Sequence, residues 1–339
     1  MVAPENELLV EISRGPMTES VHRGHIAVVD NGRKLLAYAG NPEFYTFTRS
    51  TAKLLQAISL LEAGGGERFG LTPSETALLC ASHGGEPEHA AAALEILRKL
   101  GLDESALGCG PQEPMYKPAA DAIKRERREP GQLHNNCSGK HAGMLALAKL
   151  MNVPIQQYIA PGHPVQQKML RTVADMCGVP PESITLGTDG CGVPVFAVPL
   201  ASLAFAYARL GRPDGLSPER AEACRTIIGA IRQAPFYVAG SERFDTRLAE
   251  LTQGRIIGKM GAEGLYAATV PEKGIGIAVK IEDGAQRAIY PAAAEAMLQL
   301  GLLSAEEAAQ LASFHQPAVN NRRGDQVGIV RPIFRLHRA

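Results

Sequence analysis

Residues 48–64 read TRSTAKLLQAISLLEAG, and in this stretch one kind of sequence gives way to another. Upstream, short apolar runs alternate with turn signals. LLVEIS, HIAVVD and KLLAYAG are separated by RGP and by DNGR, a tight-turn sequence. They predict a sheet, with an antiparallel hairpin over residues 25–39. From Ser50 the spacing changes, and apolar residues recur at helical intervals until the glycines. This predicts a largely apolar helix suited to burial between layers. In such a helix Ser50 and Lys53 are three apart and share a face. A serine hydroxyl is a poor nucleophile until a base takes its proton, so a lysine one turn away has chemical meaning. The S-x-x-K spacing is weak by itself, because a solvated lysine behind a helix-start serine has the same pattern.

Between about residues 73 and 230 the chain is mostly helical in character. PSETALLCAS, EPEHAAAALEILRKLG, CSGKHAGMLALAKLMN, HPVQQKMLRTVADMCG and SPERAEACRTIIGAIRQ carry helix periodicity, several with helix-start residues. After residue 250 the strand pattern returns in GRIIGKMG, GLYAATVP and GIGIAVKIEDG, followed by a closing helix in AQRAIYPAAAEAMLQLGLL. The expected fold is α/β (α+β), with an antiparallel sheet lobe built from both termini and an inserted helical lobe. The sheet lobe is expected over 1–72 and 235–339 and the helical lobe over 73–234, with the active site in the cleft between them.

Composition narrows the function classes. With 45% hydrophobic and 21% charged residues the chain can bury a large core. Lys plus Arg and Asp plus Glu number 35 each, so no electrostatic footprint for nucleic acid is present. The basic run KRERREP at 124–130 is mixed with Glu and reads as a solvated loop or helix end. No apolar run reaches the ~18 residues of a membrane span, and the N-terminus lacks the pattern of a signal peptide. Six scattered cysteines suit a reducing cytoplasm, where thiols or metal ligands are expected rather than disulfides.

Four further stretches carry reactive side chains. CASHGGEPEH holds Ser82 and His83 where a helix breaks at two glycines, and NNCSGKHAG packs Cys137, Lys140 and His141 together. GTDGCGVPVF sets Asp189 and Cys191 on a glycine-rich loop, and IIGKMGAEG flanks Lys259 with glycines beside a predicted strand. Each has a plain structural reading too. Ser82 suits a helix C-terminal hydroxyl, Asp189 an Asx-turn, and the cysteines buried small hydrophobes. Lys259 suits surface charge, and the histidines suit satisfied polar positions at lobe edges.

Taken together and in order, TRSTAKLLQ, CASHGGEPEH, LHNNCSGKHAG, LGTDGCGVPVF and GKMGAEG resemble the bacterial L-asparaginase II family, the rhizobial-type asparaginases. The resemblance implies a fold like that of serine β-lactamases, penicillin-binding proteins and serine glutaminases, with Ser50-x-x-Lys53 at their S-x-x-K position. It further implies two Ser–Lys pairs, Ser50 with Lys53 and Ser82 with Lys259, and a zinc ion held by Cys137, Lys140 and Cys191. No organic cofactor is implied, and a homodimer is expected.

By that resemblance the chain is an amidohydrolase converting L-asparagine to L-aspartate and ammonia through a serine acyl-enzyme. Ser50 is the favoured nucleophile, having both a lysine one turn away and a helix N-terminus. Its base is Lys53 or Lys259. Arg49 suits the substrate carboxylate or a structural ion pair, and Asp189 suits the substrate ammonium or the orientation of His141. His141 is placed beside the metal ligands or at the substrate. Two alternatives compete: a serine glutaminase or related acyl-transfer enzyme, and a non-catalytic protein built around the cysteine metal site.

Overall fold

In the computed structural model, which describes residues 6–339, the N-terminal region folds as its alternation predicts. Strands β1 (Glu7–Arg14), β2 (Met17–Asp30) and β3 (Leu35–Ala39) pair antiparallel in succession. The hairpin expected over residues 25–39 is present, with Ile26 opposite Ala39 and Val28 opposite Ala37. Asp30 closes its turn, one carboxylate oxygen accepting the N–H of Gly32 at 2.9 Å and of Lys34 at 2.8 Å. The left-handed residue of the turn is Arg33, at φ 69°.

Strands β4 (Tyr45–Phe47), β5 (Thr185–Thr188) and β6 (Pro194–Pro199) are short. Near the C-terminus follow β7 (Ile257–Gly261), β8 (Leu265–Val270) and β9 (Ile275–Ile281). The last three are β10 (Ala318–Asn320), β11 (Gln326–Pro332) and β12 (His337–Arg338). The large sheet has the order β10-β11-β1-β2-β9-β8-β7, with β3 added on β2 and β12 on β3. Strands from both ends of the chain therefore share one sheet. The mixed α/β class with an antiparallel sheet is what the sequence predicts.

Contacts divide the chain into two units, the first comprising residues up to Thr51 with Val198–Arg212 and Gly258–Ala339. The second comprises Ala52–Ala197 and Pro213–Ile257. Against limits expected at residues 72 and 234, five helices stand on the other side: Lys53–Leu61, Gly65–Arg68, Leu200–Gly211, Phe236–Ala239 and Phe244–Leu251. The helix Leu200–Gly211 lies on β2, β8 and β9 and so belongs with the sheet. Together with the helix Gln286–Gln299 it covers the central strands, and β8 is buried at every position as a doubly covered strand must be. Conversely the helix Lys53–Leu61 packs on the helices Ser138–Leu150, Pro164–Cys177 and Pro218–Gln233 of the second unit. Its residues Lys53 to Leu60 are all buried, as its apolar character demands. No helix among the described residues is long and apolar enough to cross a membrane.

An ion-pair cluster fixes the far end of that helix. Glu62 accepts from Lys168 at 2.9 Å and from Arg220 at 2.7 Å, and Arg220 also bonds Asp175. Burial opposes the charge on Glu62, but Arg220 and Lys168 overcome it and hold its carboxyl below the ordinary range. A carboxylate depressed on folding stabilises the protein above its unfolded pKa of about 4.3. The contribution is lost as pH falls through the folded value. Glu62→Gln is therefore expected to lower the unfolding free energy by about 1–3 kcal/mol at neutral pH. Its deficit relative to wild type should narrow below about pH 4. Urea unfolding at the two pH values checks this, and a deficit that ignores pH would assign the loss to packing.

Candidate active site

The candidate catalytic, substrate-binding and metal-ligating residues fall into two groups. Arg49, Ser50 and Lys259 belong to the first unit, and Lys53, Ser82, Cys137, Lys140, His141, Asp189 and Cys191 to the second.

In the second unit Lys53 begins its helix and is only 1% exposed. Its Nζ donates to Ala81 O at 2.6 Å and lies 2.9 Å from Ser82 Oγ, with Asn136 O at 3.5 Å. The helix Pro73–Leu79 ends just before this point, and the Ser82 N–H is anchored on Val238 O at 3.0 Å. Lys53, expected as the partner of Ser50, is thus the lysine that reaches Ser82. The 2.9 Å contact puts an amine within proton-transfer reach of the Ser82 hydroxyl.

His83 ties the Ser82 loop to the neighbouring helix. Its Nδ1 accepts the N–H of Gly85 at 3.1 Å, so Nε2 carries the hydrogen and donates to Ser138 Oγ at 2.9 Å. Burial, then the charges of His89, Lys53 and His134, keep His83 neutral, well below the ordinary histidine range. Ser138 is the first residue of the helix Ser138–Leu150, which carries Lys140 and His141 one turn on.

Those residues meet the glycine-rich loop that follows β5. Lys140 Nζ donates to Cys191 Sγ at 3.0 Å and lies 3.7 Å from Asp189 Oδ2, while Cys191 Sγ lies 3.9 Å from the same carboxylate. Burial alone would favour the neutral amine of Lys140, but Cys137, Cys191 and Asp189 outweigh it and hold the ammonium form. The hydrogen bond from Cys191 holds the Cys137 thiol well below its ordinary range, burial opposing and Lys53 and Lys140 assisting. Cys191 is pushed up by the same bond and by burial. Of the two, Cys137 is the one whose thiolate form is favoured. Its Sγ also lies 2.9 Å from Asn136 Oδ1, a contact that suits the thiol form; with the amide turned over, the NH2 group would serve the thiolate. His141 is kept neutral by burial and then by Lys140 and Lys53. All six cysteines are free thiols.

In the first unit Ser50 sits half-buried in a single 3-10 turn, Arg49–Ala52. Arg49 takes a φ of 42°, a strained left-handed conformation for a residue with a side chain. Thr51 holds the turn by donating its N–H and its hydroxyl to Thr48 O at 3.1 and 2.6 Å. Gly261 of β7 lies against this turn: a Cβ there would come within 3.3 Å of Thr51 Cγ2 and 3.4 Å of Arg49 Cβ. Lys259, fully buried, lies two residues earlier and so on the same face of β7. Its Nζ donates to Met260 O at 2.8 Å. Arg49 forms a loose ion pair with Glu263 at 3.9 Å.

Two contributors carry no sequence signal. Tyr158, in the unremarkable NVPIQQYIAPG, bonds His141 Nδ1 at 2.6 Å, and Asn136 offers its backbone oxygen to Lys53. The strain at Arg49 is equally invisible in the sequence.

Among solved structures, similarity is found to a β-lactamase, Mb2281c, from Mycobacterium bovis, at 16% identity and a TM-score of 0.43, covering 83% of this chain and 95% of that one. Mglu is similar at 14% identity and a TM-score of 0.45, covering 83% and 68% of the two chains. A β-lactamase-like protein from Bacteroides dorei DSM 17855 gives 15% identity and a TM-score of 0.41, covering 80% and 92%. No curated protein matches the sequence. A family model described as L-asparaginase II matches residues 10–332. By that match, which spans nearly its whole length, the chain belongs to the L-asparaginase II family and is an amidohydrolase.

Proposed function

We propose that this amidohydrolase hydrolyses L-asparagine to L-aspartate and ammonia, with Ser50 as the nucleophile. The observation that supports the reading is the strained turn that holds Ser50 against β7, the strand of the buried Lys259, in a chain of this family. With Lys53 committed to Ser82, Lys259 becomes the base for Ser50, because its strand packs on the Ser50 turn. Ser50 Oγ attacks the side-chain amide carbon and gives up its proton. The C–N bond breaks as the nitrogen takes a proton, and ammonia leaves. Water then cleaves the ester, releasing aspartate and restoring the hydroxyl. Arg49, next to the nucleophile, suits the α-carboxylate, and Asp189 carries the charge that suits the α-ammonium. A second reading makes Ser82 the nucleophile and Lys53 its base, and the 2.9 Å bond between them favours it.

Ammonia release from L-asparagine and L-glutamine by wild type, Ser50→Ala and Ser82→Ala separates these readings. Wild type is expected to prefer asparagine, and Ser50→Ala to lose about 10³-fold or more in kcat. Full-rate turnover by Ser50→Ala with an inactive Ser82→Ala transfers the nucleophile to Ser82. A wild type that hydrolyses neither amide overturns the reading.

Zinc belongs to the same proposal, with Cys137, Cys191 and Lys140 as its ligands. Two paired thiols and an amine, all buried, have donor chemistry that zinc accepts. Among the described residues no group of three His, Cys, Asp or Glu could hold a metal, so the set depends on the lysine. The amine must shed the proton that its anionic neighbours now favour. A bound zinc ion would supply a Lewis acid. Metal analysis is expected to find zinc in purified wild type and to lose most of it in Cys137→Ser. Undiminished zinc in that variant removes Cys137 from the site.

A further inference from the structure

The hydrogen bonds around His141 can be assigned atom by atom. Its ring is fully buried, and Nδ1 lies 2.6 Å from Tyr158 Oη. The same phenol oxygen accepts the backbone N–H of Gly108 at 2.7 Å. An amide N–H can only donate, so the phenol hydrogen is free to go elsewhere. Imidazole Nδ1 is the acceptor within reach. Tyr158 therefore donates to Nδ1, and the ring hydrogen of His141 resides on Nε2. The reverse assignment, with Nδ1–H donating to the phenol, leaves the Tyr158 hydrogen and the Nε2 lone pair both unmet.

One polar atom stays unmatched in the favoured arrangement. Nε2 of His141 has no hydrogen-bond partner among the described residues, although it is buried. A buried N–H without an acceptor is costly and calls for an explanation. A donor N–H is met by an acceptor oxygen, as in a carboxylate or an amide carbonyl.

The supports of Tyr158 are themselves fixed. Gln166 Nε2 donates to Tyr158 O at 2.9 Å, and the two rings meet edge to face at 5.6 Å between centroids. Gly108 lets its N–H face the phenol at close range, since a Cβ there would lie 3.2 Å from Tyr158 Oη.

We infer that Tyr158 is a positioning residue that locks His141 in its Nε2–H tautomer, so that His141 serves as a fixed hydrogen-bond donor to an oxygen of the bound substrate. In naming the substrate this rests on the asparaginase reading; the tautomer does not. The phenol sets the tautomer, and the tautomer sets the role. With its hydrogen on Nε2 and its Nδ1 lone pair engaged, the neutral ring can donate but cannot act as a base or as a metal ligand.

Imidazole ¹⁵N NMR of histidine-labelled protein tests the inference. Wild type is expected to show His141 with a pyrrole-like Nε2 and a pyridine-like Nδ1, and titration with L-aspartate should shift the Nε2–H resonance. In Tyr158→Phe the two nitrogens should move toward each other as the tautomers mix. KM for L-asparagine should rise about tenfold, with kcat falling less. His141→Gln, which can offer an amide N–H near Nε2, should retain more activity than His141→Ala. Protonation at Nδ1 in wild type overturns the inference, as does a Tyr158→Phe protein with unchanged tautomer and KM. The wild-type spectrum decides the tautomer even where a variant does not fold. A protein with the expected tautomer that hydrolyses neither amide would instead sink the asparaginase reading.

Discussion

Lys53 carries an amine into the interior of the second unit, and that placement constrains everything around it. A buried amine without partners would cost several kcal/mol. Its acceptors come from two separate segments, Ala81 O and Ser82 Oγ at the end of one helix and Asn136 O at the approach to another. The start of the helix Lys53–Leu61, the CASHGG turn and the NNCS turn must therefore converge. His83 reinforces the convergence by bonding Ser138. Once the helix Ser138–Leu150 is docked in this way, Cys137, Lys140 and His141 have their positions.

The electrostatics of the second unit follow from the same packing. Two lysines and two cysteines share a buried region with one nearby carboxylate, Asp189. Of the two thiols Cys137 is the one held low, and the two neutral histidines can stand close to the lysines because neither adds a charge. With two lysines set against Asp189 and a cysteine held low, the region carries both signs and suits a strongly polar ligand. Amino-acid amides, with one carboxylate and one amide carbonyl, have that chemistry.

Much of this was legible in the sequence, and the remainder depends on contacts that sequence does not record. The hairpin over residues 25–39 follows from DNGR between apolar alternations, and the late strands follow from runs such as GIGIAVKI. Strand β11 carries no clear signal, because QVGIVRP is mostly half-exposed and its pairing with β1 joins residues at opposite ends of the chain. The helices Lys53–Leu61 and Leu200–Gly211 were recognisable as helices or helical region, but their allegiance was not. Only long-range packing decides which unit each one joins. The reactive residues stand out because their types and spacing are unusual. The bond between Lys53 and Ser82 has no sequence signal, since S-x-x-K spacing describes one helical face and says nothing of a loop 29 residues on that reaches the same amine.

The assignment of Ser50 as the nucleophile is the central claim, and trapping the covalent intermediate tests it most directly. Wild type mixed with L-asparagine, quenched in acid within the first turnovers and digested, can be searched by mass spectrometry for a peptide bearing one aspartyl ester. The account predicts the ester on the peptide containing Ser50, absent from Ser50→Ala. An ester on the Ser82 peptide, persisting in Ser50→Ala, would contradict it.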